Sequence, residues 1–340
     1  MTASESARLA FDKALERDAI EAEGKPRRNG DTVQTFSVAD LMRMDLPEPR
    51  CVVPDLITEG SNILAGKSKL GKSWLALQLS LAVACGGVAL GNIAVPQGDV
   101  LYLALEDTKR RLKSRFEKML GIVNAVPPSN LHCEVKWKRQ DKGGLADLMD
   151  WFDGHPAARF AVIDTYAKFK PARKRGGDCY EEDYQHGSEI KAVADRYGVG
   201  ILSLAHCRKM TADDPLDSIS GTAAIPGCAD TSLVLRRVRG QADASLFVTG
   251  RDIDERDLAL KWDSASCTWT ALGNTAEYRI SRERSEIIDL LRKEKRFMKP
   301  NEIAKILGKK PGTVGTMLYR MHSEGWLRND GSGAYAAHEE

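Results

Sequence analysis

The sequence lacks any apolar stretch of the kind that crosses a membrane. Its longest, from Trp74 to Leu90, is broken by Gln78, Ser80, Gly86 and Gly87 and reads as a core helix. No apolar run follows a basic start at the N-terminus, so no secretory signal is expected. The seven cysteines (Cys51, Cys85, Cys133, Cys179, Cys207, Cys228 and Cys267) are scattered, odd in number and never spaced as Cys-x-x-Cys. That pattern excludes a disulfide framework and points to a reducing, cytoplasmic compartment. There is little net charge, +2 over 340 residues, so any nucleic-acid binding has to come from local basic patches. Internal repeats are absent. What remains, 42% apolar and 29% charged residues, is the balance of a globular chain long enough for one large α/β domain and a small satellite.

Residues 1–35 are polar and charged. Positions 4–22 fit an amphipathic helix with Leu9, Leu15 and Ile20 roughly on one side, a flexible or subunit-docking segment, and 24–30 reads as a linker. From Phe36 to about position 275, β-rich runs alternate with helical patterns. Strands are expected at 61–65, 99–104, 161–164, 200–204, 231–235, 245–249 and 257–262, and helices at 72–84, 108–120, 145–152 and 187–197. Such alternation predicts an α/β fold with a mostly parallel sheet covered on both faces. The later strands, with no helices between them, extend that sheet as antiparallel hairpins.

Gly66, Lys67, Ser68, Lys69, Leu70, Gly71, Lys72 and Ser73 fit the phosphate-loop pattern G-x-x-x-x-G-K-[ST], followed by Trp74. Glycines let successive backbone N–H groups turn inward around phosphate oxygens, Lys72 reaches the β- and γ-phosphates, and the Ser73 hydroxyl can ligate Mg²⁺. The loop lies between an apolar strand and an apolar helix, the context that makes this a site for ATP. A second apolar run ends in Asp164, placed to be the acidic partner of Mg²⁺. A third ends in Glu106 and Asp107. Glu106 is the expected base for the attacking water, and Asp107 the expected N-cap of the next helix. His206 ends a fourth strand, where a polar group can sense the γ-phosphate.

In order and spacing, the loop 66–73, the runs 97–107, 162–165, 204–209 and 217–223, and the segment 249–252 resemble the RepA-like branch of the RecA-type ATPases, the hexameric replicative helicases of plasmids and phages. The resemblance spans about 36–272. It implies Glu106 as catalytic carboxylate, Asp164 as the Walker B aspartate and His206 as the sensor coupling nucleotide state to DNA. It also implies that 208–225 faces a central channel holding single-stranded DNA, with Arg208 and Lys209 carrying much of the contact. RecA-type motors complete the site with a cation from the next subunit. Arg251 is the first candidate, Arg237 the second, with Arg236 and Arg239 beside it. Many relatives have two adjacent histidines, whereas here Ala205 precedes His206.

A further unit, 279–340, is not part of the minimal helicase. Three helical patterns and a terminal ribbon are the order of a winged helix-turn-helix. From Arg279 to Arg320 there are twelve Lys/Arg against five Asp/Glu. Lys309 and Lys310 are expected on phosphates of duplex DNA, Thr313, Thr316, Met317 and Arg320 on the exposed face of the third helix, and Arg328 and Asn329 in a wing reaching the minor groove. The expected function is an ATP- and Mg²⁺-dependent, ring-forming DNA helicase. Two alternatives stay open: a non-translocating RecA-type ATPase of recombination or repair, and a DNA-binding regulator switched by ATP.

Overall fold

The computed structural model describes residues 35–46, 49–121, 125–173, 178–207, 215–216, 219, 224–237 and 243–338. The expected N-terminal helix and linker, together with Arg208, Lys209 and Arg239, lie outside them. The chain divides into two compact units, Met1–Ala271 and Leu272–Glu340.

In chain order the elements of the first unit are α1 (Val38–Leu41), β1 (Cys51–Val53), β2 (Ile57–Thr58), β3 (Gly60–Gly66), α2 (Lys72–Cys85), β4 (Val88–Ala89), β5 (Ile93–Ala94), β6 (Asp99–Ala104), α3 (Lys109–Gly121) and β7 (Leu131–Glu134). There follow α4 (Gly144–Asp153), β8 (Ala158–Asp164), α5 (Tyr166–Phe169), α6 (Cys179–Tyr197), β9 (Gly200–His206), α7 (Ala224–Cys228), β10 (Thr231–Arg237), β11 (Asp243–Gly250), β12 (Arg256–Asp263) and β13 (Thr268–Asn274). Nine strands form one sheet in the order β13-β12-β11-β10-β3-β9-β8-β6-β7. The six from β10 to β7 run parallel, and β11 and β12 continue antiparallel from β10.

Side chains alternate across a strand, so a strand buried on both faces must be apolar at every position. The second half of β3 meets that demand: Leu64 faces the layer containing Leu75, Leu79 and Val83 of α2, while Ile63 and Ala65 face the layer built from α4, α5 and α6, and the buried Asn62 before them donates to the carbonyl oxygens of Thr58 and Gly60. Helix α2 is apolar nearly all round because it lies beneath the sheet's centre, which accounts for the largely apolar stretch, broken within the helix by Gln78 and Ser80, seen in the sequence. The mostly parallel sheet, covered on both faces and extended by antiparallel strands, is the expected architecture.

The departures have local causes. Helix α6 starts at Cys179, eight residues before the expected 187, because the Asp178 carboxylate accepts from the N–H groups of Tyr180 and Glu181 and caps it there. Strand β7 has only four residues and no alternation, so periodicity missed it. Asp107 is not the cap of α3. Thr108 takes that place, its hydroxyl accepting from Arg111 N, while Asp107 is drawn to the guanidinium groups of Arg111 (2.8 Å) and Arg115 (2.7 Å).

The second unit holds α8 (Thr275–Glu294), α9 (Pro300–Leu307), α10 (Pro311–Ser323), β14 (Leu327–Asn329) and β15 (Tyr335–Ala337), around a core of Ile287, Leu291, Ile303, Val314, Leu318 and Met321. Pro311 opens α10 at a first helical position, where its missing N–H costs nothing. The ribbon turns through Gly331 and Gly333, both at positive φ.

Candidate functional site

The loop 66–73 leaves β3 at the C-terminal edge of the parallel strands and runs into α2. Two of its glycines are required by space. A Cβ on Gly66 would stand 2.8 Å from the Leu235 carbonyl oxygen, and one on Gly71, at φ 105°, would stand 2.9 Å from the Trp269 indole. Lys69 is also left-handed, at φ 64°. Lys67, Ser68 and Lys69 are exposed at the turn, Leu70 is buried beneath it, and Ser73 and Trp74 are half-buried. Lys72 is buried and its Nζ donates to the carbonyl oxygens of Gly66 (2.6 Å) and Lys67 (3.2 Å). Burial pulls its pKa down, against the fields of Cys207, Asp164 and Glu106.

The other strand ends converge on this loop. In the sheet register Gly66 lies beside His206, and Ala104 beside Asp164. His206 Nδ1 is 3.4 Å from Ser68 Oγ and 3.5 Å from Lys72 Nζ. Burial, then the Lys72 charge, hold the imidazole below its usual range. Asp164 is hydrogen-bonded by the Ser73 side chain and by the Tyr102 hydroxyl, which donates at 2.7 Å. Burial raises its carboxyl above the ordinary value despite these bonds. Glu106 is exposed two residues past β6, and its charge is felt at Lys72, Asp164 and His206. Lys72, Ser73, Glu106, Asp164 and His206, far apart in sequence, therefore meet at one edge of the sheet. A hydroxyl already in contact with a desolvated carboxylate is the oxygen pair that a hard divalent cation takes, and a lysine held on loop carbonyls is placed for a phosphate. The residues fit Mg²⁺ and a nucleoside triphosphate.

A family model for an AAA domain matches residues 29–212, more than half of the chain. The chain belongs to the AAA domain family. Among solved structures it is similar to one described as an ATPase domain, with 14% identity over 77% of this chain and 98% of that one, at a TM-score of 0.51. It is also similar to a DnaB-like replicative helicase solved in connection with its interactions with primase, with 12% identity over 78% of this chain and 75% of that one, at a TM-score of 0.53. At those identities the likeness is one of fold: the AAA domain of this chain has the RecA-like P-loop ATPase architecture.

Other expected residues of this AAA domain chain stand elsewhere. Pairing of Gly250 with Thr231 puts Arg251 at the opposite edge of the sheet, where it bonds to Asp230 at 3.3 Å. Arg237 ends β10 at the P-loop edge, its guanidinium 5.7 Å from the Trp262 ring centroid and 5.2 Å from that of Trp269. Arg236 pairs with Asp257 at 2.8 Å. In the C-terminal unit Lys310, Thr313, Thr316 and Arg320 are exposed on or before α10, and Met317 is half-buried. Lys309 is not the open cation expected: its ammonium is held by Glu286 (2.9 Å) and Glu283 (3.6 Å) of α8. Nor do Arg328 and Asn329, expected in a wing, reach outward. Arg328 donates to the Ala337 carbonyl and lies over Phe297, and Asn329 accepts from Gly331 N in the turn. Tyr102 and Arg115 were not expected at the site. A phenol inside an otherwise apolar strand was the one signal for Tyr102, and Arg115 carried none.

Proposed function

We propose that this chain is an ATP- and Mg²⁺-dependent DNA motor, a ring-forming replicative helicase of phage or plasmid type that hydrolyses ATP at the interfaces of a cytoplasmic homo-hexamer. The observation that carries this reading is the convergence of Glu106, Asp164 and His206 on Lys72 and Ser73. A phosphate-binding switch needs the loop alone, whereas hydrolysis needs a carboxylate open to water beside it, and Glu106 is that group. The fold likeness to a replicative helicase supports the same direction.

In this mechanism the loop N–H groups and Lys72 hold the phosphates, and Ser73 and Asp164 hold the cation, which when bound offsets charge on the phosphate oxygens. Glu106 orients and deprotonates the attacking water. His206, neutral at pH 7, accepts or donates one hydrogen bond according to whether the γ-phosphate is present, and passes the difference from the end of β9 to 208–225, which follows it in the chain. Arg208 and Lys209 would meet single-stranded DNA there. The cation from the neighbouring subunit is better sought at Arg237, at the P-loop edge, than at Arg251, which already answers Asp230 at the far edge. Residues 36–275 form the ATPase domain, and 279–340 a winged helix-turn-helix whose exposed Lys310, Thr313, Thr316 and Arg320 would address duplex DNA. That unit keeps the ATP-switched regulator in view as a second reading.

Steady-state ATP hydrolysis with and without single-stranded DNA, followed by strand displacement, tests the proposal. Stimulation by DNA that Lys72→Ala abolishes, together with unwinding, is the expected result. Stimulation without unwinding favours the recombination or repair ATPase, and turnover unchanged in Lys72→Ala removes the assignment.

A further inference from the structure

Strand β6 is apolar from Val100 to Ala104 except at Tyr102, which is fully buried. Packing does not call for its hydroxyl. A phenylalanine would fill the same space with no polar atom to satisfy, and a buried hydroxyl is costly unless it finds a partner. Tyr102 stands on the face of β6 that meets α2, in one cluster with Val100, Ala104, Phe160 and Val162. In the register with β8 it lies beside Val162, and Ala104 lies beside Asp164, so the phenol reaches along the sheet toward the end of β8. Its oxygen stops between two acceptors, Asp164 Oδ2 at 2.7 Å and the Ser73 carbonyl oxygen at 3.5 Å. A phenol has one proton to donate. The shorter contact claims it, so the bond goes to the carboxylate.

The Ser73 side chain also hydrogen-bonds Asp164, but Ser73 is itself read as a holder of the cation, so that bond is remade when a cation enters. Tyr102 is different. It comes from the buried side, competes for no ligand position and occupies one of the two Asp164 oxygens. Hard divalent cations differ in what they ask of such a carboxylate. Mg²⁺ is small and holds close to octahedral geometry, which suits one oxygen per carboxylate beside phosphate and water oxygens. Ca²⁺ is larger, gathers more oxygens and readily takes both from one carboxylate.

We infer that Tyr102 is a positioning residue that makes Asp164 a one-oxygen ligand, and that through this bond the site prefers Mg²⁺ to Ca²⁺. The inference rests on the reading of Ser73 and Asp164 as the groups that hold the cation. Hydrogen bonds that orient a metal ligand from behind are typically worth about 10- to 100-fold in metal affinity, so the loss of one hydroxyl is measurable.

The test measures, by calorimetry on the full chain, the affinity for the imido analogue of ATP, which resists hydrolysis. It is titrated without divalent metal, with saturating Mg²⁺ and with saturating Ca²⁺. In the wild type Mg²⁺ should strengthen binding at least about threefold more than Ca²⁺ does. In Tyr102→Phe the metal-free affinity should stay within about twofold, which also shows that the loop is folded. The gain from Mg²⁺ should fall about tenfold and the gain from Ca²⁺ by less than about threefold. Equal losses with the two metals, an unchanged gain from Mg²⁺, or a loss of metal-free binding would each overturn the inference and leave the cation site standing. A wild type that gains as much from Ca²⁺ as from Mg²⁺ would do the same. A wild type that gains nothing from either metal would remove Ser73 and Asp164 as holders of the cation, and the inference with them.

Discussion

Two aspartates close the opposite edges of the same parallel strands, and they are treated differently. At the edge away from the loop, Asp230 accepts from Ser61 N at 2.9 Å and is paired with Lys191 at 2.8 Å and Arg251 at 3.3 Å. At the loop edge, Asp164 is bonded by the hydroxyls of Tyr102 and Ser73, and burial leaves its carboxyl reluctant to ionise. The first arrangement is complete in the chain alone. The second leaves anionic charge to be met from outside, which is the electrostatic mark of a site rather than of a scaffold. The comparison separates residues that hold the sheet from residues that act at it, and substitutions at the two edges should part company accordingly.

The largest effect belongs to Glu106 at the loop edge. Glu106→Gln removes the proposed base and leaves the proposed ligand-holding groups untouched, so kcat should fall by about 10²- to 10⁴-fold while ATP still binds. Single-turnover hydrolysis beside a binding titration checks this. A variant that keeps its turnover would return the site to a switch.

At the opposite edge the loss should be of stability. Asp230→Asn leaves two cations facing a neutral amide. Breaking a fully buried pair costs about 3–5 kcal/mol, and the access of Lys191 and Arg251 to solvent reduces that to about 2–3 kcal/mol. The expected fall in Tm is about 5–10 °C, with ATP turnover at 25 °C unchanged. A loss of turnover without a loss of Tm would dissolve the distinction between the edges.

Much of the loop edge was legible because its parts are local. A glycine-rich loop between an apolar strand and an apolar helix, and apolar runs ending in Glu106, Asp164 and His206, announce themselves in single windows of sequence. β6 occupies the expected Asp99–Ala104, since apolar residues fill it and the turn at Leu105 stops it. What failed needed knowledge of pairing. A carboxylate two residues before a helix reads as a cap, yet Asp107 is claimed by Arg111 and Arg115 along that helix. Lys309 reads as a DNA contact until α8 brings Glu283 and Glu286 against it. Trp74, Trp262 and Trp269 are nearly two hundred residues apart at the widest, and only the sheet brings them together.

Asp164 supplies the next prediction, with its sign opposite to that of Asp230. A carboxyl whose folded pKa is raised binds its proton more tightly in the folded chain. Its ionisation therefore costs stability as pH rises from about 3.8 through the folded value. Asp164→Asn keeps an acceptor for Tyr102 and removes that cost. The nucleotide-free variant should melt about 2–4 °C higher than the wild type at pH 7, and it should lose the added stabilisation that ATP with Mg²⁺ gives the wild type. A lower Tm in the nucleotide-free variant would mean that Asp164, like Asp230, is a completed structural group.

The smallest effect is expected at His206, and it bears on how the loop edge senses its ligand. Its pKa is lowered by burial and by Lys72, so the folded chain refuses a proton that the unfolded chain accepts below about pH 6.5. Stability is then lost as pH falls through that value toward the folded pKa, and the loss is constant below it. His186 on α6 is shifted in the same direction by burial, so the total slope does not isolate either residue. The difference between wild type and His206→Gln does. Near pH 7.5 the two should differ least in this respect, and toward pH 5.5 the wild type should lose ground by under about 2 °C. His206 is exposed enough for solvent to screen much of the effect. A gap moving the other way would mean that the imidazole is charged in the folded chain, and a charged ring beside Lys72 could not act as the neutral hydrogen-bonding sensor assigned to it.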